Sequence, residues 1–197
     1  MQVALLGGSF NPPHVGHLLA AHYVRATQGV DEVWLMPTFR HPFGKVSEEF
    51  EHRVRMCQLL CQDTSGWMKT SRVESEVGKD GRTVDTLEFL QARHPSHRYT
   101  LVIGSDILKD LPHWKDFDRI RRMARVLVLN RAGYPSVDEF LKPPLEVVGP
   151  PLALVSSTDI RERLLRGEQP SDLVPSAVLA YAREHNLYVQ AGSKVAP

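Results

Sequence analysis

Two histidines three residues apart, His14 and His17, close a stretch whose residue types suit the handling of an anion: Gly7-Gly8-Ser9-Phe10-Asn11-Pro12-Pro13-His14-Val15-Gly16-His17. Gly7 and Gly8 let the backbone turn and bring its N–H groups close to a ligand, with Ser9 and Phe10 beside them. Pro12 and Pro13 stiffen the approach. A helix is predicted to open near His14 with its first amides unpaired and the positive end of its dipole exposed. On that helix the two histidines share one face of the first turn. Imidazole donors beside free amides hold phosphate oxygens and offset charge that develops on them. A glycine pair before a helix is by itself an ordinary turn, but so many special residues at fixed spacing are not expected of one.

A second constellation lies about 140 residues later, Ser156-Ser157-Thr158-Asp159-Ile160-Arg161. The plain structural reading is a set of helix caps, since hydroxyls satisfy free amides. With exposed N–H groups and an arginine one turn on, the same residues also make a phosphate cradle. Between the two stretches lie further candidates. The loop Thr38-Phe39-Arg40-His41-Pro42-Phe43-Gly44-Lys45 carries two cations and a histidine, and beside a phosphate site it reads as a side wall bringing Lys45 to a triphosphate. Gly104-Ser105-Asp106 repeats the pattern of apolar run, glycine and helix start, where Asp106 is either a helix cap or a ligand contact. Trp114 is either a packing residue or a stacking surface. Arg131, in Asn130-Arg131-Ala132-Gly133-Tyr134, is a candidate phosphate contact.

These residues need elements to position them. Val3 to Leu6 reads as a buried strand, a helix follows over about 15 to 28, and Glu32 to Met36 reads as a second strand, giving a strand-helix-strand unit. In sheets built from such units ligands bind outside the C-terminal ends of the strands, so the Thr38 to Lys45 loop should face the same ligand as Gly7 to His17. Ser47-Glu48-Glu49 is expected to open the next helix, Met68 to Val77 to be extended, and Gly78 to Gly81 to turn. A helix from Arg82 to about Arg93, strands at Tyr99 to Ile103 and Arg125 to Leu129, and a final short strand at Leu152 to Val155 follow. Pro135 to Pro151 reads as a proline-rich insertion, and a last helix runs from Pro175 to about Glu184. The expected fold is a Rossmann-like α/β domain, doubly wound on a mainly parallel sheet with a small C-terminal helical region, spanning residues 1–189 and leaving 190–197 as an untethered tail.

Composition narrows the class. The chain has 197 residues, enough for one domain, and 42% hydrophobic and 24% charged residues are those of an ordinary soluble globular protein. A net charge of +1 argues against a nucleic-acid polymer as partner. No segment has the roughly 20 apolar residues of a membrane span and no secretory pattern is seen, so a cytoplasmic protein is expected. Cys57 and Cys61 sit one turn apart on a predicted helix, where disulfide geometry is poor, and with His52 they fall short of the ligand pattern of a structural zinc site. A homo-oligomer remains open.

The two constellations resemble the signatures of the nucleotidyltransferase superfamily that carries histidine-x-glycine-histidine (His14 to His17) and Ile-Ser-Ser-Thr-x-Ile-Arg, here with Val155 in place of Ile. Gly-Gly-Ser-Phe-Asn-Pro-Pro-His is most similar to bacterial nicotinate-nucleotide adenylyltransferases, and the resemblance covers residues 2 to 189. It implies adenylyl transfer from ATP to nicotinate mononucleotide, with Mg²⁺ carried on ATP. His14 and His17 would then hold the α-phosphate, and Lys45, Ser156, Ser157, Thr158 and Arg161 the β- and γ-phosphates. Gly104 would allow close approach of adenosine and Asp106 would contact the nucleotide. Thr83-Val84-Asp85-Thr86-Leu87 matches the segment that binds the nicotinate end, with Thr83 and Thr86 as candidate contacts, and Trp114 would stack on the pyridine ring.

There are departures from the family pattern. Asn11 stands where the family more often has Asp, which keeps a short acceptor able to pin the loop and removes a charge. The lysine of the family's Pro-Pro-His-Lys carries over to Lys45, but the histidine does not. Gly81 and Arg82 replace Ser and Tyr, so Arg82 either meets the nicotinate carboxylate or points to solvent. That departure leaves a nicotinamide mononucleotide or dual-specificity enzyme as the alternative. A nucleotide-binding module without turnover is a more distant reading.

Overall fold

A computed structural model describes residues 1–40, 48–78, 82–134, 145–152 and 155–189. Six strands form one sheet in the order β3-β2-β1-β4-β5-β6: β1 (Gln2–Gly8), β2 (Glu32–Pro37), β3 (Met68–Thr70), β4 (Arg98–Gly104), β5 (Arg125–Arg131) and β6 (Glu146–Leu152). Every adjacent pair is parallel. Side chains alternate across a strand, and both faces of this sheet are covered, so the central strands read as unbroken aliphatic runs. Along β1, Val3 and Leu5 join one core cluster with Leu87, Leu101 and Ile120, while Ala4 and Leu6 join the other with Val24, Leu35 and Leu60. A third cluster, built on Met56, Ile160, Val178 and Leu187, packs the C-terminal helices α6 (Ser157–Leu165) and α7 (Ser176–Glu184) against α2 (Phe50–Cys61).

The expected doubly wound sheet is thus present and wholly parallel. The chain leaves β1 on one side for β2 and returns on the other to β4, so the strand order reverses between β1 and β4. That crevice is where an open α/β sheet binds ligands. Crossover helices run back against the strands, so the N-termini of α1 (Val15–Thr27), α4 (Thr83–Arg93) and α6 face the same edge of the sheet as Gly8, Gly104 and Arg131.

Several expectations are corrected. Met68 to Val77 is not one extended run: after the three residues of β3 the chain turns into a short helix α3 (Val73–Val77), which Gly78 closes at φ +66. The acidic residues Glu74 and Glu76 suit the positive end of that helix. α2 is capped by Glu49, and Ser47 lies outside the described residues. The final strand is Glu146–Leu152, not Leu152 to Val155, so it falls within the proline-rich stretch. Proline is tolerated there because β6 is an edge strand paired only with β5, with a register shift between Leu129 and Arg131. Asp106 is no helix cap: Gly104 caps the 3₁₀ helix Ser105–His113 that follows β4. Lys79 to Gly81, Pro135 to Pro144 and the tail from Gln190 lie outside the described residues. Cys57 and Cys61 are free thiols, both buried on the core face of α2.

One residue of α2 positions the site from below. Arg53 is 3% exposed, and its guanidinium donates to three backbone carbonyls: Glu48 at 2.9 Å, Ser9 at 2.9 Å and Thr38 at 2.7 Å. It therefore joins the loop after β1, the loop after β2 and the start of α2. Only a planar fork of donors spans three acceptors in this way. The signal was present in the sequence, since Arg53 sits with Met56, Cys57 and Leu60 at inward helical spacing. Replacing Arg53 with Met is expected to cost about 2–4 kcal/mol in denaturant unfolding, because buried carbonyls lose charged donors. Arg53→Lys should recover only part of that. A loss under about 1 kcal/mol for the Met variant would contradict the role.

Candidate active site

The histidine loop is held from several directions. Phe10 takes φ +48 and is buried, with its ring 4.7 Å from that of His17. Asn11, also buried, uses Oδ1 to accept from the Glu48 N–H at 3.3 Å and from the Tyr188 hydroxyl at 2.8 Å. Asn11 is thus the loop pin expected from its short acceptor. The peptide bond between Asn11 and Pro12 is cis.

The first helical amides are less free than the sequence suggested. Val15 N–H donates to the Leu173 carbonyl at 2.9 Å, and His17 N–H turns back to His14 C=O at 2.9 Å. Both distances are ordinary for amide hydrogen bonds. Of the polar groups at this helix start, the Val15 and His17 amides are thus already engaged.

His14 and His17 stack with ring centroids 3.8 Å apart. His17 Nδ1 accepts the His14 backbone N–H at 3.2 Å, which leaves the ring proton of neutral His17 on Nε2, the donor that a phosphate oxygen needs. His14 is buried, and its Nδ1 has no hydrogen-bond partner among the described residues. Its ring lies over Gly16, where a Cβ would come within 3.0 Å of Nδ1 and 3.3 Å of Val155 Cβ. The glycine between the histidines is therefore a matter of space. Burial, reinforced by the Arg131 guanidinium, pulls the His14 pKa down to about 4. Burial, then His14, then Arg131 push His17 well below the usual imidazole range. Both rings are neutral donors at pH 7.

Arg131 ends β5 and pairs with Asp106 Oδ2 at 2.9 Å, while its backbone N–H donates to Ser105 Oγ at 3.0 Å. Asp106 Oδ1 is buried without a hydrogen-bond partner among the described residues. A Cβ on Gly104 would run into that oxygen and come 2.9 Å from the Arg131 side chain, so any other residue at the end of β4 would displace the pair.

The second constellation meets the first. Ser156 caps α6 by accepting from Thr158 N–H at 3.1 Å, as the plain reading expected. Ser157 Oγ donates to the Pro12 carbonyl at 2.9 Å and Arg161 to the Asn11 carbonyl at 2.8 Å. Arg161 also donates to Thr158 Oγ1 at 3.1 Å. Residues about 145 positions apart in sequence thus form one surface, with two helix N-termini on it.

Thr83 opens α4, but Thr86 is buried and its hydroxyl donates within the helix to Arg82 C=O at 3.3 Å. Thr86 is therefore placed to shape α4 more than to present a hydroxyl. Arg82 is exposed at the cap position of α4. Trp114 is half-buried, packed against the cluster of Leu87 and Leu108, with its ring edge-on to Phe117 at 6.2 Å. Gly7 and Gly8 end β1, and a Cβ on Gly8 would touch the Phe10 ring at 3.4 Å. Ser9 gives its carbonyl to Arg53. Lys45 and His41 lie outside the described residues. Sequence reading passed over Arg53, Tyr188 and Glu74. Burial raises the Glu74 pKa to about 7, and its carboxyl accepts Phe39 N–H at 2.9 Å, fixing the loop after β2.

An α/β sheet with a paired-histidine loop at its switch point and a hydroxyl-rich helix start beside it defines a nucleotidyltransferase of the cytidylyltransferase-like class, whose family model matches residues 5–163. A relative from Myxococcus xanthus, 67% identical over 95% of both chains, bears the name "probable nicotinate-nucleotide adenylyltransferase". One from Anaeromyxobacter sp. (strain K), with the same name, is 48% identical over 95% of this chain and 96% of its own. The chain belongs to the nicotinate-nucleotide adenylyltransferase family. In fold it is similar to the Plasmodium falciparum nicotinic acid mononucleotide adenylyltransferase solved with NaAD. That match has a TM-score of 0.80 at 20% identity and covers 95% of this chain and 97% of that one.

The neutral state of His14 is directly observable. In a side-chain ¹⁵N NMR titration of the ligand-free protein, His14 should titrate near about 4. A midpoint near the free imidazole value of about 6.5 would contradict the burial argument.

Proposed function

We propose that this protein transfers the adenylyl group of ATP to nicotinate mononucleotide, giving nicotinate adenine dinucleotide and pyrophosphate. An oxygen of the mononucleotide 5′-phosphate attacks the α-phosphorus. The bond from that phosphorus to the β-phosphate bridging oxygen breaks, and pyrophosphate leaves with the electron pair. The nucleophile is already an anion, so no general base is needed. Catalysis reduces to aligning two phosphates and compensating charge as it shifts.

The observation that carries this reading is the tie between the histidine loop and α6 through Ser157 to Pro12 and Arg161 to Asn11. On this reading the tie lets two donor groups serve a single chain of phosphates. His17, through Nε2–H, and His14 serve the α-phosphate, where neutral imidazoles act as donors without a fixed charge to be displaced. The hydroxyls of Ser156 and Thr158, the backbone N–H of Ser157 and the guanidinium of Arg161, with Lys45, serve the β- and γ-phosphates. Arg131 adds charge beside the histidines, Gly104 and Asp106 face the nucleoside, and Gly7 to Phe10 supply close backbone. On the pyridine side Thr83, Thr86, Trp114 and Arg82 border the ring.

ATP is taken as its Mg²⁺ complex. On this reading the ion is held by substrate phosphates and water rather than by a dedicated cage of carboxylates. When bound, the ion neutralises phosphate charge. No helix among the described residues is long and apolar enough to cross a membrane.

The test is dinucleotide formation and pyrophosphate release with Mg-ATP and, in parallel, nicotinate mononucleotide, nicotinamide mononucleotide and phosphopantetheine. Strong preference for the first is expected. Preference for the amide would make the Gly81-Arg82 departure a change of ring specificity, and no turnover would leave a nucleotide-binding module. Two variants refine the reading. His17→Ala should lower kcat at least about a hundredfold, the scale of one positioned charge-stabilising donor, and a loss under about threefold would refute its role. Arg82→Ala should raise KM for nicotinate mononucleotide with KM for ATP held. An unchanged KM would place Arg82 outside the ring pocket.

A further inference from the structure

Tyr188 lies beyond the last helix, far in sequence from either constellation, yet it reaches the histidine loop. Its hydroxyl donates to Asn11 Oδ1 at 2.8 Å across 177 residues. Its backbone N–H faces Glu48 Oε1 at 3.4 Å. The assignment of the asparagine oxygen is fixed by chemistry, since the Glu48 N–H on the same atom can only donate. The tyrosine is 6% exposed, and burial pushes its pKa up, so the hydroxyl keeps its proton.

Two features show that the contact is built rather than incidental. Tyr188 holds φ +59, in the left-handed region that a bulky residue occupies only where its surroundings over-determine it. The ring packs in the cluster of Met56, Ile160 and Val178. The Asn11 side chain is thereby held by Tyr188 and Glu48 while its carbonyl is held by Arg161. Asn11 is three residues from His14.

We propose that Tyr188 is a positioning residue for the histidine loop. Its hydroxyl orients Asn11, and through Asn11 the backbone that sets the His14 and His17 rings. The C-terminal end of the chain thus takes part in adenylyl transfer without touching the substrate.

This inference rests on the proposed adenylyl transfer, and the wild-type protein tests that reading separately. Turnover of nicotinate mononucleotide is first established for the wild type, and Tyr188→Phe, Asn11→Ala and the double variant are then compared. Tyr188→Phe keeps the packed ring and removes only the hydroxyl. Its kcat should fall about tenfold with KM for ATP within twofold, and the His17 ring resonances should shift in the folded variant. The double variant should be no slower than Asn11→Ala alone, because both changes break one path. An unchanged kcat in Tyr188→Phe, or kcat losses that multiply in the double variant, would overturn the proposal. So would a loss that follows the unfolded fraction alone.

Discussion

Two guanidinium groups bound to backbone carbonyls set the shape on which the rest depends. Arg53 takes the carbonyls of Ser9, Thr38 and Glu48, and Arg161 takes that of Asn11. Loops at the end of a parallel sheet have no ladder of their own to hold them, and their polar backbone needs partners. Here the partners come from helices that are distant in sequence and rigid in the fold. A neutral donor would leave each loop with one weak tie. A charged fork gives several bonds from one packed side chain.

The consequence is preorganisation. The histidine rings do not wait for a ligand to order them: Phe10, Gly16, Val155 and the His14 N–H already define their places. Burial keeps both rings neutral, so the site offers directional donors where a reaction redistributes charge over phosphate oxygens. On the proposed reading the charge comes from Arg131 and Arg161, which are held by their own partners, Asp106 and the loop carbonyl. Separating orientation from charge in this way lets the loop remain stable before any anion arrives.

Much of this was legible in the sequence, for identifiable reasons. The aliphatic run of β1 and its glycines indicated the strand and turn, and Ser156 to Thr158 indicated the cap that Ser156 makes. Asn11 was readable as a loop pin because a short acceptor in that position has little else to do. What sequence could not supply was long-range pairing. The helix α3 was hidden in a segment too short for helical periodicity, and the last strand was hidden by its prolines, which an edge strand admits. Arg53 went unread because the loops it ties come from distant parts of the chain. Asp106 read as either a cap or a ligand contact, and its partner is Arg131, one strand away.

The central claim is that the histidine loop and the start of α6 form one cradle for a single triphosphate. A crystal structure with a non-hydrolysable ATP analogue and nicotinate mononucleotide tests it most directly. The account requires the α-phosphate within hydrogen-bonding distance of His17 Nε2 and the β- and γ-phosphates against Ser156 to Thr158 and Arg161. A triphosphate bound away from either element would contradict it.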